Sequence, residues 1–119
     1  MENAIAGLAR RYFDAFQAAD RAAMEALLAP DFTFTSPFDD HISREAYFTR
    51  CWPHAGSFRF RDDKAIFVDG SNCVIVYETE GKSGGTFRNA ELFRFADGQL
   101  RSIDVFFGFI PKEILKQSD

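Results

Sequence analysis

The hydrophobic pattern of this 119-residue chain changes character near Pro53, and that change limits the fold more than any other feature. Before it, apolar residues recur at helical intervals: Ile5, Leu8, Ala9, Tyr12 and Phe16 form one stripe. Asp20 reads as the N-cap of a short second helix burying Met24, Leu27 and Leu28, which Pro30 stops. Phe32 to Ser36 then alternates with period two, placing Phe32, Phe34 and Ser36 on one strand face. Pro37 ends that strand and Asp39-Asp40 read as a turn. Ser43 caps a third helix with Glu45 in its first turn, and Phe48, Cys51 and Trp52 share one side of it.

Beyond Pro53 the pattern predicts four strands, Phe58 to Val68, Cys73 to Glu80, Thr86 to Phe95 and Leu100 to Phe109. Asp69-Gly70, Gly81 with Gly84-Gly85, and Asp97-Gly98 separate them as tight turns. Helices first and consecutive strands afterwards define an α+β class rather than α/β. The expected architecture is a cone-shaped α+β roll, with three N-terminal helices packed on a curved antiparallel sheet that encloses a pocket. The tail from Pro111 to Asp119 is expected to form a helical turn or fray. Without repeat, linker or low-complexity segment, residues 1–119 read as one domain, long enough to bury a core without staples.

Composition narrows the partners. The chain has 15 Phe with 3 Tyr and 1 Trp. Most of these rings must build the core, and some are expected to line a cavity, because ligand pockets are largely apolar with a few placed polar groups. The net charge is −4 with Lys and Arg scattered, so neither nucleic acid nor an anionic membrane surface is an expected partner. Met1 to Phe16 carries charges among its apolar residues and lacks a signal-peptide core, so a cytoplasmic location is expected. Cys51 and Cys73 are expected to be free thiols, and they are not spaced with His41 or His54 as metal ligands. Neither metal nor cofactor is expected.

The order helix, helix, strand, helix, meander resembles the nuclear transport factor 2-like superfamily. Local text agrees. Arg11-Tyr12-Phe13-Asp14-Ala15-Phe16, with Asp20 and Leu27-Leu28-Ala29-Pro30-Asp31-Phe32, resembles the opening of SnoaL-like domains. Phe87 to Phe95 leading into Asp97-Gly98-Gln99-Leu100, and Ile103 to Gly108, are similar to their last two strands. The resemblance implies a fold that hosts enzymes and non-enzymes alike. Against ketosteroid isomerases, Tyr12 matches the oxyanion tyrosine and Glu91 the protonated aspartate, but Ser36 stands where the aspartate base should be. Serine does not do that work near neutral pH. Against SnoaL-type polyketide cyclases, Glu91 matches the aspartate acid/base. Against limonene epoxide hydrolases, Val105 stands in place of the water-activating aspartate, and that reading is set aside.

The residues themselves lead to the same place. On the strand from Thr86 to Phe95, Phe87, Asn89, Glu91, Phe93 and Phe95 share a face. A carboxyl group among those rings would be desolvated and its pKa raised, which suits an acid/base. Tyr12 and Asn89 are expected to polarise a substrate carbonyl, and a Tyr12–Glu91 hydrogen bond would mark the site. Expected walls are Phe16, Phe34, Ser36, Phe38, Phe48, Trp52, Phe93, Val105 and Phe107. Glu78 joins them if Val74, Val76 and Glu78 face the pocket, but Cys73, Ile75 and Tyr77 are apolar too and leave the face open. His41 is expected at the rim or solvated. Ser102, Asp104 and Phe106 should lie on the opposite sheet face, where domains of this type pair, so a homodimer is expected. The expected function is binding of a compact apolar or aromatic molecule, with isomerase- or cyclase-type chemistry at Glu91; the alternative is a non-catalytic ligand-binding or dimerisation module.

Overall fold

The computed structural model describes residues 3–61, 64–81 and 84–108; its α-helices lie before Pro53, and five of its seven strands lie after it. Helix α1 spans Ala4–Ala18, with the Asn3 side chain accepting from the Ile5 N–H at 2.8 Å. Helix α2, Arg21–Leu27, starts where Asp20 accepts from Ala23 N–H, and α3, Arg44–Arg50, where Ser43 accepts from Ala46 N–H. Both caps are the expected residues. A 3-10 turn, Trp52–His54, carries Pro53 near its start.

The strands are β1 (Leu28–Ser36), β2 (Asp39–Ser43), β3 (Phe58–Phe60), β4 (Ala65–Asp69), β5 (Asn72–Gly81), β6 (Thr86–Ala96) and β7 (Gln99–Phe107). They form one curved sheet in the order β2-β1-β7-β6-β5-β3, with β4 also paired to β5. The run β5-β6-β7 is the expected antiparallel meander. Asp97 and Gly98 both take positive φ (54° and 76°), the geometry that fits a tight hairpin between β6 and β7.

Four details differ from the sequence expectation. Pro30 lies inside β1 rather than after α2. It sits where the β1–β7 register shifts between Leu28 and Thr33, a position at which a missing N–H breaks no ladder bond. The β1–β7 pairing is parallel, so the sheet is mixed rather than wholly antiparallel. Asp39-Asp40 is no turn: the turn is Pro37-Phe38, and Asp39 begins β2, an edge strand built by backbone pairing with β1. Within it His41 takes φ 49°, and its N–H bonds Thr35 Oγ1 at 2.9 Å. Finally, the expected strand from Phe58 to Val68 is two strands, β3 on Thr79–Gly81 and β4 on Asn72–Val76. The polar run Arg61-Asp62-Asp63-Lys64 interrupts the alternation between them. Asp62, Asp63, Phe109 and the tail from Pro111 to Asp119 lie outside the described residues.

The concave sheet face meets the helices. Phe13, Phe32, Tyr47, Phe93, Met24, Leu28, Ile75, Leu100 and Ile103 are all buried to within 1% of complete. The outer face carries Ser102, Asp104 and Phe106 as expected, with Phe67, Val76 and Phe106 exposed. Among the described residues, no helix is long and apolar enough to cross a membrane.

Candidate functional site

Strand alternation puts Phe87, Asn89, Glu91, Phe93 and Phe95 of β6 on the concave face, and all five are buried. The register then selects their neighbours. Asn89 lies opposite Tyr77 on β5 and Phe107 on β7; Glu91 lies opposite Ile75 and Val105. On β5 the concave residues are Cys73, Ile75, Tyr77 and Thr79. Tyr77 is therefore directly across from Asn89 and diagonal to Glu91, within reach of both.

Those three side chains form a chain of hydrogen bonds. Asn89 Nδ2 donates to the Tyr77 hydroxyl oxygen at 3.0 Å, and the Tyr77 hydroxyl donates to Glu91 Oε2. Burial pushes the Glu91 carboxyl up from its ordinary range to about 7, although the Tyr77 bond favours the ionised form. A second polar pair faces it from the helices: the Tyr12 hydroxyl of α1 and the Tyr47 hydroxyl of α3 are 2.8 Å apart and buried. Desolvation raises all three phenols well above their ordinary value, and the nearby Glu91 carboxylate raises each further. All 3 tyrosines of the chain thus gather around one glutamate.

They surround a cavity of about 150 Å³, partly open to solvent. Its apolar walls come from Phe13 and Phe16 of α1, Phe34 of β1, Phe60 of β3, and Val105 and Phe107 of β7. Phe38, Asp39, Arg50 and His54 also line it, with Phe38 43% exposed and Arg50 Nη2 held 2.8 Å from Asp39 Oδ1. A volume near 150 Å³ is the size that takes one benzene-like ring, well below the several hundred Å³ of larger ligand sites.

The residues singled out in the sequence separate into two groups. Tyr12, Phe16, Phe34, Ser36, Phe38, Asn89, Glu91, Val105 and Phe107 line the cavity. Ser36 does so with its Oγ accepting from Phe38 N–H at 3.1 Å, a turn contact. Phe48, Trp52, Phe93 and Glu78 lie elsewhere. Phe48 is buried against Tyr47 and Trp52, its ring under the Arg21 and Arg44 guanidinium groups at 4.4 and 5.2 Å. Trp52 packs behind the wall against Phe16 and Phe48, with ring centroids 5.8 Å apart in each case. Phe93 is fully buried beneath Tyr12 and Phe13. Glu78 is on the outer face of β5, 3.4 Å from Arg61, because the concave face belongs to Tyr77 and Thr79. Glu78 and Glu91 therefore do not form a pair.

Tyr12 does not bond Glu91 directly; it bonds Tyr47, and Tyr77 takes the position at the carboxylate. Sequence reasoning missed several lining residues, Phe13, Phe60 and His54 among them, and the two that matter most to the polar network are Tyr47 and Tyr77. The signals were present: Tyr47, Arg50 and Cys51 follow i, i+3, i+4 spacing, one residue round the helix from the expected Phe48 face. Tyr77 is two residues from both Ile75 and Thr79. His41 is exposed and pairs with Asp40, whereas His54 lines the cavity. Among the described residues no group of three or more His, Cys, Asp or Glu is placed to hold a metal ion.

The comparisons with known proteins agree with this architecture. A protein of unknown function from Mesorhizobium loti, described as nuclear transport factor 2-like, superposes with a TM-score of 0.73 at 25% identity, covering 89% of this chain and 92% of that one. A proposed polyketide cyclase from Xanthomonas campestris superposes with a TM-score of 0.77 at 20% identity, covering 98% and 97%. A nuclear transport factor 2-like protein of unknown function from Cytophaga hutchinsonii gives 0.75 at 19% identity, covering 97% of each chain. No curated protein matches the sequence significantly. Residues 9–103 match the SnoaL-like domain, and the chain belongs to that family, on a nuclear transport factor 2-like α+β fold.

Proposed function

We propose that this protein binds a compact, largely apolar carbonyl compound and moves a proton on it, with Glu91 as the acid/base. The observation that carries this reading is a buried carboxyl group poised near neutral pH in the wall of a ring-sized cavity. A base with a pKa near 7 combines a usable ionised fraction with real affinity for a carbon-bound proton. In the proposed step the Glu91 carboxylate takes a proton from the carbon next to the carbonyl, and the carbonyl oxygen gains the charge. One proton of the Tyr12–Tyr47 hydroxyl pair is committed to the bond between them; the other is left to donate to that oxygen. Return of the proton from Glu91 to a different carbon gives an isomerisation, and attack of the enolate on a second carbonyl gives an aldol-type cyclisation. Three of the neighbours are described only as proposed polyketide cyclases, which is in keeping with this chemistry at the level of class.

The test uses cyclohexanone, a single-ring ketone of suitable size, in deuterium oxide. Deuterium uptake beside the carbonyl, followed by proton NMR, should be faster with the protein than with buffer. Replacing Glu91 by Gln should lower that rate by about 10²- to 10⁴-fold while leaving the protein folded. Unchanged exchange in that variant would remove the catalytic role and leave ligand binding as the function.

Two further parts of the reading concern context. The outer sheet face aligns Ala65, Val76, Ala90 and Phe106 in one cross-strand row, with Phe67 beside it. The 60% exposure of Phe106 and 64% of Phe67 favour a second copy covering this face. Light scattering should give a dimer mass, and Phe106→Glu should give a monomer; a monomeric parent protein would refute the pairing. Two free thiols, Cys51 and Cys73, fit a cytoplasmic protein, and the scattered charge argues against nucleic acid as a partner.

A further inference from the structure

The hydrogen-bond direction along Asn89–Tyr77–Glu91 determines what Asn89 offers a ligand. Tyr77 has one proton, and it goes to the Glu91 carboxylate. Its oxygen must then accept, and the donor it accepts from is the Asn89 amide nitrogen at 3.0 Å. That orients the amide, and Asn89 Oδ1 is left buried without a partner in a side chain that is only 7% exposed. Asn89 lines the cavity, and its atom with no hydrogen bond is an acceptor. The polarity is opposite to that expected from sequence, where Asn89 was read as a donor to a ligand carbonyl.

We infer that Asn89 Oδ1 selects ligands bearing a hydroxyl group, so that the substrate is a single-ring compound with a hydroxyl as well as the carbonyl of the proposed reaction. This rests on the reading of the cavity as a ligand site, and it adds the class of ligand. The physical reason is the cost of a bare acceptor. Oδ1 is shut off from solvent, so an apolar ring filling the cavity leaves its hydrogen bond unmade. A ligand hydroxyl makes the bond. Sites built around a polar contact reject analogues that lack it more strongly than apolar sites discriminate by size. The acceptor for the ligand hydroxyl lies on β6, opposite Phe107 of β7 and two residues from Glu91, so the hydroxyl is placed near the acid/base.

The test compares p-cresol with p-xylene, which differ by a hydroxyl in place of a methyl of similar size. An apolar cavity prefers p-xylene, the more hydrophobic of the two. The inference requires the reverse: p-cresol should bind the wild-type protein about ten- to a hundredfold more tightly by calorimetry. Asn89→Leu should abolish that preference. In the wild-type protein, the Asn89 side-chain amide resonances should shift further on saturation with p-cresol than with p-xylene, a readout that does not depend on the variant folding. Equal binding of the two probes, a preference that survives Asn89→Leu, or Asn89 resonances that shift no further with p-cresol would each overturn the assignment to Asn89 while leaving the cavity a ligand site. Binding of neither probe would overturn the ligand-site reading and this inference with it.

Discussion

Replacing Glu91 by Gln should stabilise the protein at alkaline pH and have little effect in acid. Burial raises the Glu91 carboxyl from 4.5 to about 7, so the folded state holds a proton that the unfolded chain releases between those values. Folding stability is then fully retained below about 4.5 and falls as pH rises through about 7, where the buried group must ionise. The interval between the two values corresponds to about 3 kcal/mol at pH 8. Water in the partly open cavity relieves some of it, leaving an expected gain of about 2 kcal/mol for the amide. The amide oxygen of the new side chain can still accept from Tyr77, so no hydroxyl is orphaned. For a chain of this length that gain is roughly 5 to 12 °C in Tm. Thermal melts of both proteins at pH 5, 6, 7 and 8 provide the assay, because subtraction cancels every other titrating group. A difference that is constant across pH, or a less stable variant at pH 8, would refute the account of Glu91 as a desolvated carboxyl group. Stabilisation by removing a functional group is the usual signature of a site held in a strained electrostatic state.

Other expectations follow from the same geometry. Tyr77→Phe removes the side-chain hydrogen bond that favours ionised Glu91, and NMR titration should place the carboxyl pKa higher than in the parent protein. Phe93→Ala empties a fully buried site beneath Tyr12 and Phe13, and urea unfolding should show a loss of about 3–5 kcal/mol. Burial pushes the Cys51 thiol up to about 12 and that of Cys73 to about 11, so Ellman's reagent at pH 8 should label both slowly in the folded protein and rapidly in urea.

The fold was legible because its signals are local. Capping at Asp20 and Ser43, the Asp97-Gly98 turn and the alternation of β6 each depend on a few adjacent residues. What escaped the sequence depends on partners far along the chain. Strand β2, with its polar text Asp39-Asp40-His41-Ile42-Ser43, is a strand because β1 offers it a backbone edge. Pro30 is tolerated in β1 because of an irregular register with β7, some seventy residues away. The site shows the same division. Glu91 and Asn89 were found from alternation within one strand, and Tyr12 from its helical stripe and its match to the family motif. Tyr77 becomes their partner through the β5–β6 register, which places it opposite Asn89. Tyr47 required a helix face to be chosen one residue from the Phe48 side, and Phe48, as apolar as any wall residue, gave no local reason to reject it. The orientation of the Asn89 amide depends on the two hydrogen bonds of Tyr77, to Asn89 and to Glu91, together.

The central claim is that Glu91 is a desolvated carboxyl group enclosed by the ring-sized cavity, and its own titration tests that claim most directly. With carbon-13-labelled glutamate, and the Glu91 side-chain resonance identified by its loss in Glu91→Gln, the midpoint can be read as pH is varied. It should fall near 7, and it should move when p-cresol fills the cavity. A midpoint near 4.5, unaffected by p-cresol, would mean a solvated carboxylate and would contradict the site.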